Sequence, residues 1–325
     1  MEPIAAAVLL DIVNAQVRLV ELGNNLSAMI DEAARVAVRL TQAEGAVVEL
    51  VEGEEIVYRS ASGIAEAQLG LRMPLAHSLS GHCVLHQTHA ACNDSETDER
   101  VNREACRKVG LRAMVIVPLR SGGRTPAVMK LVWAQPRQFD RNEVEIAQLL
   151  ANMMAALMHQ SALEGQDVLR RRLTVDPPTG AANRASFYDQ LRTHLKGDGA
   201  QPARAGVALL RIDGLAAHGP ATAAEVMRRI ESECASGDMI ARMAEDEFAI
   251  ILGMAVRRTV VNSQLLRISH AISREPLPSG DAARTRLMLR SGCALSPDDG
   301  DSAVELVHKA YAALNNAEGH LLRQL

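Results

Sequence analysis

Aromatic side chains are nearly absent: one tryptophan, three tyrosines and three phenylalanines among 325 residues. A chain so poor in large rings must fill its cores with smaller apolar residues. The rings that remain are therefore expected where anything smaller would leave a cavity. Cysteine is scarce as well. Cys83, Cys92, Cys106, Cys234 and Cys293 are odd in number, widely spread and never in a Cys-x-x-Cys pair, which argues against a disulfide scaffold or a structural zinc knuckle and for reduced thiols. No apolar run, including Ile4 to Leu10 and Met114 to Pro118, approaches the ~20 residues of a bilayer span. Met1-Glu2-Pro3 is not a basic signal-peptide start. Charge of one sign is also missing: 35 basic against 39 acidic groups leave −4, so no basic surface predicts a nucleic-acid or membrane partner. Together these absences predict a cytoplasmic protein without a membrane span.

With 48% hydrophobic residues the chain has apolar side chain enough for two cores, and at roughly 100–200 residues per domain its length predicts two domains. Residues 4–22 read as a helix with Val8, Leu9, Ile12, Val13, Val17 and Val20 on an apolar face, ended by Gly23-Asn24. Asn25 is placed to cap a second helix carrying Leu26, Met29, Ile30, Ala33, Ala37 and Leu40. Strands 46–51 and 55–60 flank the turn Glu52-Gly53-Glu54, Ser80-Gly81 opens a short helix, and runs 113–119 and 127–134 flank Ser121-Gly122-Gly123. This half is α+β with an antiparallel sheet.

Asp140 and Glu143 form a capping-box pattern opening a helix that can run to about Arg172. Ile146, Leu150, Met153 and Leu157 form its apolar stripe, which continues onto Gln160 and Glu164 before Gly165 breaks the phase and suggests a hinge. The stripe either packs on the first sheet or forms a dimer seam with helix 4–22. After Asp176-Pro177-Pro178, strands 207–212, 239–243, 248–252 and 286–294 alternate with helices near 221–235, 258–273 and 302–317, an order that implies an α/β sandwich. Gly197–Gly206 reads as a loop. The expected organisation is an N-terminal helix 1–22, a sensory or dimerisation domain 23–160, a linker helix 161–173 and a second domain 174–325.

In the first half, His82, His86 and His89 would share a helix face at i, i+4 and i+7, a weak metal-ligand signal without a carboxylate or thiolate at firm spacing. No metal and no cofactor is assigned. The surrounding order is more specific. Ser80-Gly81-His82-Cys83-Val84, Cys92-Asn93-Asp94, Asp98 to Asn102, Gly110-Leu111-Arg112-Ala113, Val117-Pro118-Leu119 and Phe139-Asp140 together resemble the GAF domain family over about 22–160. The resemblance implies a small-molecule pocket between the sheet and the helix and loop covering it. It marks His82, His86, Asp94, Arg100 and Cys106 as candidate ligand-binding residues. Many such domains serve only as dimerisation and relay modules, and that alternative stays open.

In the second half, Asp176, Thr179-Gly180, Asn183-Arg184 and Phe187 resemble the opening D-x-L-T-G-L-x-N-R-x-x-F of the GGDEF family, the diguanylate cyclases that condense two GTP into cyclic di-GMP. Arg242-Met243-Ala244-Glu245-Asp246-Glu247-Phe248 stands where R-x-G-G-D-E-F belongs, and Ser291 to Ala294 with Pro297 to Gly300 matches the family's later strand and turn. The resemblance spans about 170–320 and implies an adenylyl-cyclase-type sandwich.

The family's site residues are replaced repeatedly. Arg211 stands at a metal-binding aspartate, where a cation in place of an anion reverses a contact of about 4 kcal/mol at ~4 Å and an effective dielectric near 20. The guanine-reading segment shrinks to Ala217 to Ala224 with neither its Asn nor its Asp. Ala244 and Glu245 replace glycines that admit phosphate, and Glu318 replaces a lysine. Asp246 and Glu247 persist. The inhibitory product site keeps Asp238 and lacks its arginine. These departures describe a degenerate domain with no catalytic residues assigned. The implied protein is a homodimeric, non-enzymatic signalling protein whose GAF-like input acts through a helix on a GGDEF-like domain contacting another protein. The alternatives are a small-molecule receptor working through the GAF pocket and a residual diguanylate cyclase using Asp246 and Glu247.

Overall fold

The computed structural model describes residues 6–22, 25–163, 166–196, 205–253, 257–273 and 287–316. It divides into two units, Met1–Leu173 and Thr174–Leu325. Of the loop expected over Gly197–Gly206, residues 197–204 lie outside the described residues, as do Gly23, Asn24, Glu164, Gly165 and Glu318 and the side chains of Val20 and Gln160.

The first unit opens with α1 (Ala6–Glu21) and α2 (Leu26–Thr41). Asn25 caps α2 as expected, its Oδ1 accepting from the Ala28 N–H at 3.1 Å. On α1 the apolar face differs from the expected one. Ile12, Ala15 and Leu19 are buried, while Leu9, Leu10, Val13 and Val17 are exposed. The inward stripe is i, i+3, i+7, and it leaves a second apolar stripe on the other side.

Strands β1 (Gly45–Glu52), β2 (Glu55–Gly63), β3 (Arg72–Pro74), β4 (Ala90–Cys92), β5 (Ala113–Ser121) and β6 (Arg124–Trp133) form one antiparallel sheet in the order β3-β2-β1-β6-β5-β4. One face, carrying Ala46, Val48, Val115, Val117, Met129 and Leu131, packs against α1, α2 and α5 (Arg141–Leu163). The opposite face is covered by α3 (Leu79–His86) and α4 (Arg103–Val109). Helix α5 begins with the expected capping box, Glu143 N–H donating to Asp140 Oδ1 (2.8 Å) and Asp140 N–H to Glu143 Oε2 (3.1 Å). Its buried stripe is Ile146, Leu150, Met154 and Met158 with Ala147, Ala151 and Ala155 beside it, rather than one through Met153 and Leu157, which are half-buried. The alanines let the helix approach α2 and β5 closely, and that contact selects the i+4 row. A separate helix, α6 (Gln166–Thr174), follows.

The second unit contains β7 (Ala182–Asn183), α7 (Arg184–Lys196), β8 (Gly206–Asp213), α8 (Pro220–Ser232), β9 (Met239–Arg242), β10 (Glu247–Leu252), α9 (Arg258–Ser273), β11 (Met288–Leu295) and α10 (Ala303–Asn316). The sheet order is β11-β8-β10-β9-β7, antiparallel except for the β7–β9 pair. Alternation along the strands splits the core. Ala208, Leu210, Ile212, Phe248 and Ile250 face α8 and α9, whereas Val207, Leu209, Ala249 and Ile251 face α7 and α10. Gly292 of β11 is required by contact: a Cβ there would sit 2.2 Å from Leu314 N and 2.3 Å from Ala310 O, so α10 lies directly on the backbone.

Candidate functional site

In the second unit the candidate site forms where β8, β10 and α10 meet. Antiparallel register sets Arg211 opposite Glu247 on one side and Arg290 on the other. Arg211 lies on the α10 face. Its Nε donates to Glu247 Oε1 at 2.7 Å and its Nη2 reaches the same carboxylate at 2.5 Å, while Nη1 extends 3.5 Å to Asn315 Oδ1. Tyr311 O–H donates to Glu247 Oε2 at 2.9 Å. Burial, together with the hydrogen bond and charge of Glu247, raises the Tyr311 hydroxyl well above its ordinary pKa, so it stays a donor. Both oxygens of Glu247 are thus occupied by donors within the domain. One strand over, Arg290 embraces Asp213 through Nε (2.9 and 3.2 Å) and Nη2.

Beside the repulsion of a cation expected from its charge, Arg211 pairs with Glu247, so a cation–carboxylate pair stands at this point of the β8–β10 register. The Asp246 backbone carbonyl accepts from Ile212 N–H (2.9 Å), and the Glu247 side chain is bonded to Arg211 and Tyr311. Ala244 and Glu245 form the hairpin tip. Arg242 ties that tip down, donating to the carbonyls of Ala244 (3.2 Å) and Glu245 (2.8 Å) and reaching Asp176 Oδ2 at 3.4 Å.

The other motif residues are structural. Asp176 Oδ2 accepts from Thr179 N–H and Oγ1–H at 3.1 and 2.6 Å, and Asn183 Oδ1 accepts from Ser186 N–H at 3.0 Å to start α7. Asp238 is spent on the fold. Its Oδ2 accepts from Ala235 N–H and Gln264 Nε2 (both 2.9 Å), and its Oδ1 from Gly253 N–H (3.1 Å).

In the first unit, the residues marked from sequence lie on α3 (His82, His86), on α4 (Cys106) and between β4 and α4 (Asp94, Arg100). Ser78, not Ser80, caps α3, its Oγ accepting from Gly81 N–H at 2.9 Å. A Cβ on Gly81 would meet the Leu75 carbonyl oxygen at 1.8 Å, which explains the glycine. His82 and His86 lie together, ring centroids 4.3 Å apart, on the exposed side of α3. His89 is not on that face, because Gln87 takes a left-handed conformation (φ 54°) and ends the helix. Among the described residues no group of three or more His, Cys, Asp or Glu is placed to hold a metal.

Asp94 is held by the Arg112 guanidinium at 2.9–3.0 Å and caps Glu96 N–H. Arg100 is bonded to Asp98 and to the Ala91 carbonyl (2.7 Å). The Arg100 hydrogen bond, opposed by partial burial, holds the Asp98 carboxyl at about 2. Cys106 is buried among Leu79, Cys83 and Leu111, and burial raises its thiol pKa.

What that face holds instead is a buried charged trio that sequence inspection missed. Glu49 on β1 pairs directly across with Tyr58 on β2, and Lys130 on β6 lies diagonal to Glu49, opposite Val47. The Lys130 ammonium forms an ion pair with the Glu49 carboxylate and donates to Tyr58 Oη at 3.1 Å. Burial opposes the charge on Lys130, yet the Glu49 carboxylate and Tyr58 hold its pKa above the ordinary value. Burial first, and then the charge of Glu49, push Tyr58 up to about 12. The available signal was a single charge of each sign inside otherwise apolar strands, Val47-Val48-Glu49-Leu50-Val51 and Val128-Met129-Lys130-Leu131-Val132.

Residues 23–159 match the GAF domain family model, and residues 173–320 match the family model of the diguanylate cyclase GGDEF domain. Among solved structures, the GGDEF domain of YfiN (TpbB) from Pseudomonas aeruginosa is similar at 23% identity, covering 45% of this chain and 89% of that one, with TM-score 0.42. The coiled coil and GGDEF domain of DgcB from Caulobacter crescentus, solved with c-di-GMP, is 24% identical over 53% of this chain and 93% of that one (TM-score 0.43). The GAF domain of a phosphoenolpyruvate-protein phosphotransferase from Coxiella burnetii is 14% identical over 48% and 96%, respectively (TM-score 0.42). No curated protein matches the chain significantly. With each unit matched along its length, the chain is a GAF domain followed by a GGDEF domain.

Proposed function

We propose that the GGDEF domain is catalytically silent and that the chain is a regulatory protein of cyclic di-GMP signalling, in which the GAF domain receives an input and the GGDEF domain acts on a protein partner. One observation carries this reading: both Glu247 oxygens are engaged, by Arg211 and by Tyr311. A divalent ion bound there must break the pair and then sit beside a fixed guanidinium. At ~4 Å and an effective dielectric near 20 each pair of unit charges repels by about 4 kcal/mol, and a dication doubles that. Catalysis of this class relies on such an ion to neutralise phosphate, and Glu245 adds a negative charge at the hairpin where phosphate would approach. Loss of the site with retention of the core residues Phe187, Leu209, Ile212, Phe248 and Leu314 agrees with a domain kept for binding.

A homodimer accords with the exposed stripe of Leu9, Leu10, Val13 and Val17 on α1, an apolar face that a lone domain leaves in water. No described helix is long and apolar enough to cross a membrane. A second reading, a small-molecule receptor, is favoured by the buried Glu49–Lys130–Tyr58 trio of the GAF domain.

Incubation of the purified chain with GTP and Mg²⁺ or Mn²⁺, followed by chromatography, is expected to yield no cyclic di-GMP. Turnover by the wild type that Asp246→Ala abolishes overturns the reading. Arg211→Asp, which returns a carboxylate and releases Glu247, is expected to create a Mg²⁺-dependent rise in the melting temperature that the wild type lacks.

A further inference from the structure

We propose that His82 and His86 form an open binding site for one divalent transition-metal ion of the zinc, nickel and copper class, and that the bound ion clamps α3. The proposal goes beyond the regulatory reading and does not depend on it. The two residues stand at i and i+4 of an eight-residue helix, so they rise from successive turns of one face. Both are exposed, and side chains in water have no need to meet, yet their rings lie side by side with centroids 4.3 Å apart and planes 44° apart.

The rings have no other use among the described residues. Neither is hydrogen-bonded to another described residue, and neither belongs to the apolar cluster beneath the helix. Their nitrogens therefore face water and remain available to a ligand. Rings at this separation can each set a nitrogen about 2.0–2.1 Å from a shared ion, in adjacent positions of its coordination shell.

The donor set chooses the ion. Imidazole suits zinc, copper and nickel, whereas magnesium and calcium take oxygen donors. The left-handed turn at Gln87 fixes the size of the site, because it ends the helix before His89 can join the face. No third His, Cys, Asp or Glu among the described residues completes the group, so water fills the remaining positions. A structural zinc site is closed by four protein ligands. This one is open, and it fills and empties with the free-ion concentration.

The clamp follows from where the pair sits. An isolated helix of eight residues is marginal in water, and a bridge from i to i+4 ties its two turns together. Helix α3 covers the sheet face carrying Val47, Ile116 and Val128, so a bound ion stiffens the cover of that core.

The test is titration of the full chain, freed of any purification tag, with Zn²⁺, Ni²⁺ and Cu²⁺, and with Mg²⁺ as the hard-cation control. The three transition ions are expected to bind saturably at one site, Cu²⁺ most tightly, and the electron paramagnetic resonance of Cu²⁺ at one equivalent is expected to show two imidazole nitrogens. His82→Gln and His86→Gln, both exposed changes, should each weaken binding about tenfold or more, since even the partners behind a metal ligand are worth that much. His89→Gln should leave binding as it is. Amide hydrogen exchange over Leu79–His86 is expected to slow with Zn²⁺ in the wild type and in His89→Gln, and not in the other two variants. Wild-type affinity in both His82→Gln and His86→Gln, or a response to Mg²⁺ equal to that for Zn²⁺, rules the site out. Binding that both variants abolish but that leaves exchange over α3 unaltered marks an adventitious ion only and defeats the proposal. The GTP assay on the other domain is independent of all these outcomes.

Discussion

Lys130→Met alone is expected to lower the stability of the GAF domain by about 3–5 kcal/mol, the cost of stranding a buried charge whose partner is removed. Glu49 has no exposure and sits in a strand whose neighbours are Val48 and Leu50. Without Lys130 its carboxylate has no cation beside it, and Tyr58 loses the ammonium that now donates to its oxygen. Adding Glu49→Met to the same chain is expected to recover most of the loss, since the second change removes the stranded charge and supplies apolar volume. The cycle of two single variants and one double variant, read by urea unfolding of the first domain, should therefore show strong favourable coupling. A single-variant cost below about 1 kcal/mol, the range of exposed pairs, would show that the pair is solvated and does not behave as buried.

Phe187→Ala is expected to cost about 3–5 kcal/mol in the GGDEF domain, as for other fully buried aromatic truncations. The ring is fully buried between α7 and the sheet, among Leu191, Val207, Leu209, Leu306 and Leu314, with Tyr188 edge-on at 5.4 Å. Phe248 fills the other side of the same sheet and is equally buried. The surrounding residues are close-packed and cannot move in to take up all the missing volume, and Phe187→Leu should lie well below the alanine value. Denaturant unfolding of the second transition checks both. A cost for Phe187→Ala equal to that of an exposed change, within about 0.5 kcal/mol, would contradict the packing described.

The ends of elements were legible because their signals are local. Asn25, Asp140 with Glu143, and the Gly53 turn act on backbone groups within four residues, so adjacent letters carry the whole interaction. Where the reading slipped, the deciding contact came from elsewhere in the chain. Met154 and Met158 displace Met153 and Leu157 because α2 and β5 choose which row of α5 is buried. On α1 the sequence shows two apolar stripes, and only packing against α2 says which one is covered. His89 left the histidine face for a more local reason, the left-handed turn at Gln87, which no glycine announced.

The site residues divide along the same line. That Arg211 stands where the family resemblance implies a metal-binding carboxylate, and Ala244 and Glu245 where it implies glycines, was legible in the sequence. What became of the surviving carboxylate was not. Glu247 and Arg211 are 36 positions apart, and Tyr311 and Glu247 are 64 apart, yet β8–β10 register and the seat of α10 on the sheet bring all three within hydrogen-bond distance. Glu49 and Lys130 are brought together likewise by the β1–β6 register, from strands that separately read as apolar runs with a stray charge. Composition and short-range pattern thus set the elements and the two domains' motifs. Strand register and helix seating decided which charges neutralise one another, because Coulomb and hydrogen-bond energies depend on distance in space and are indifferent to separation along the chain.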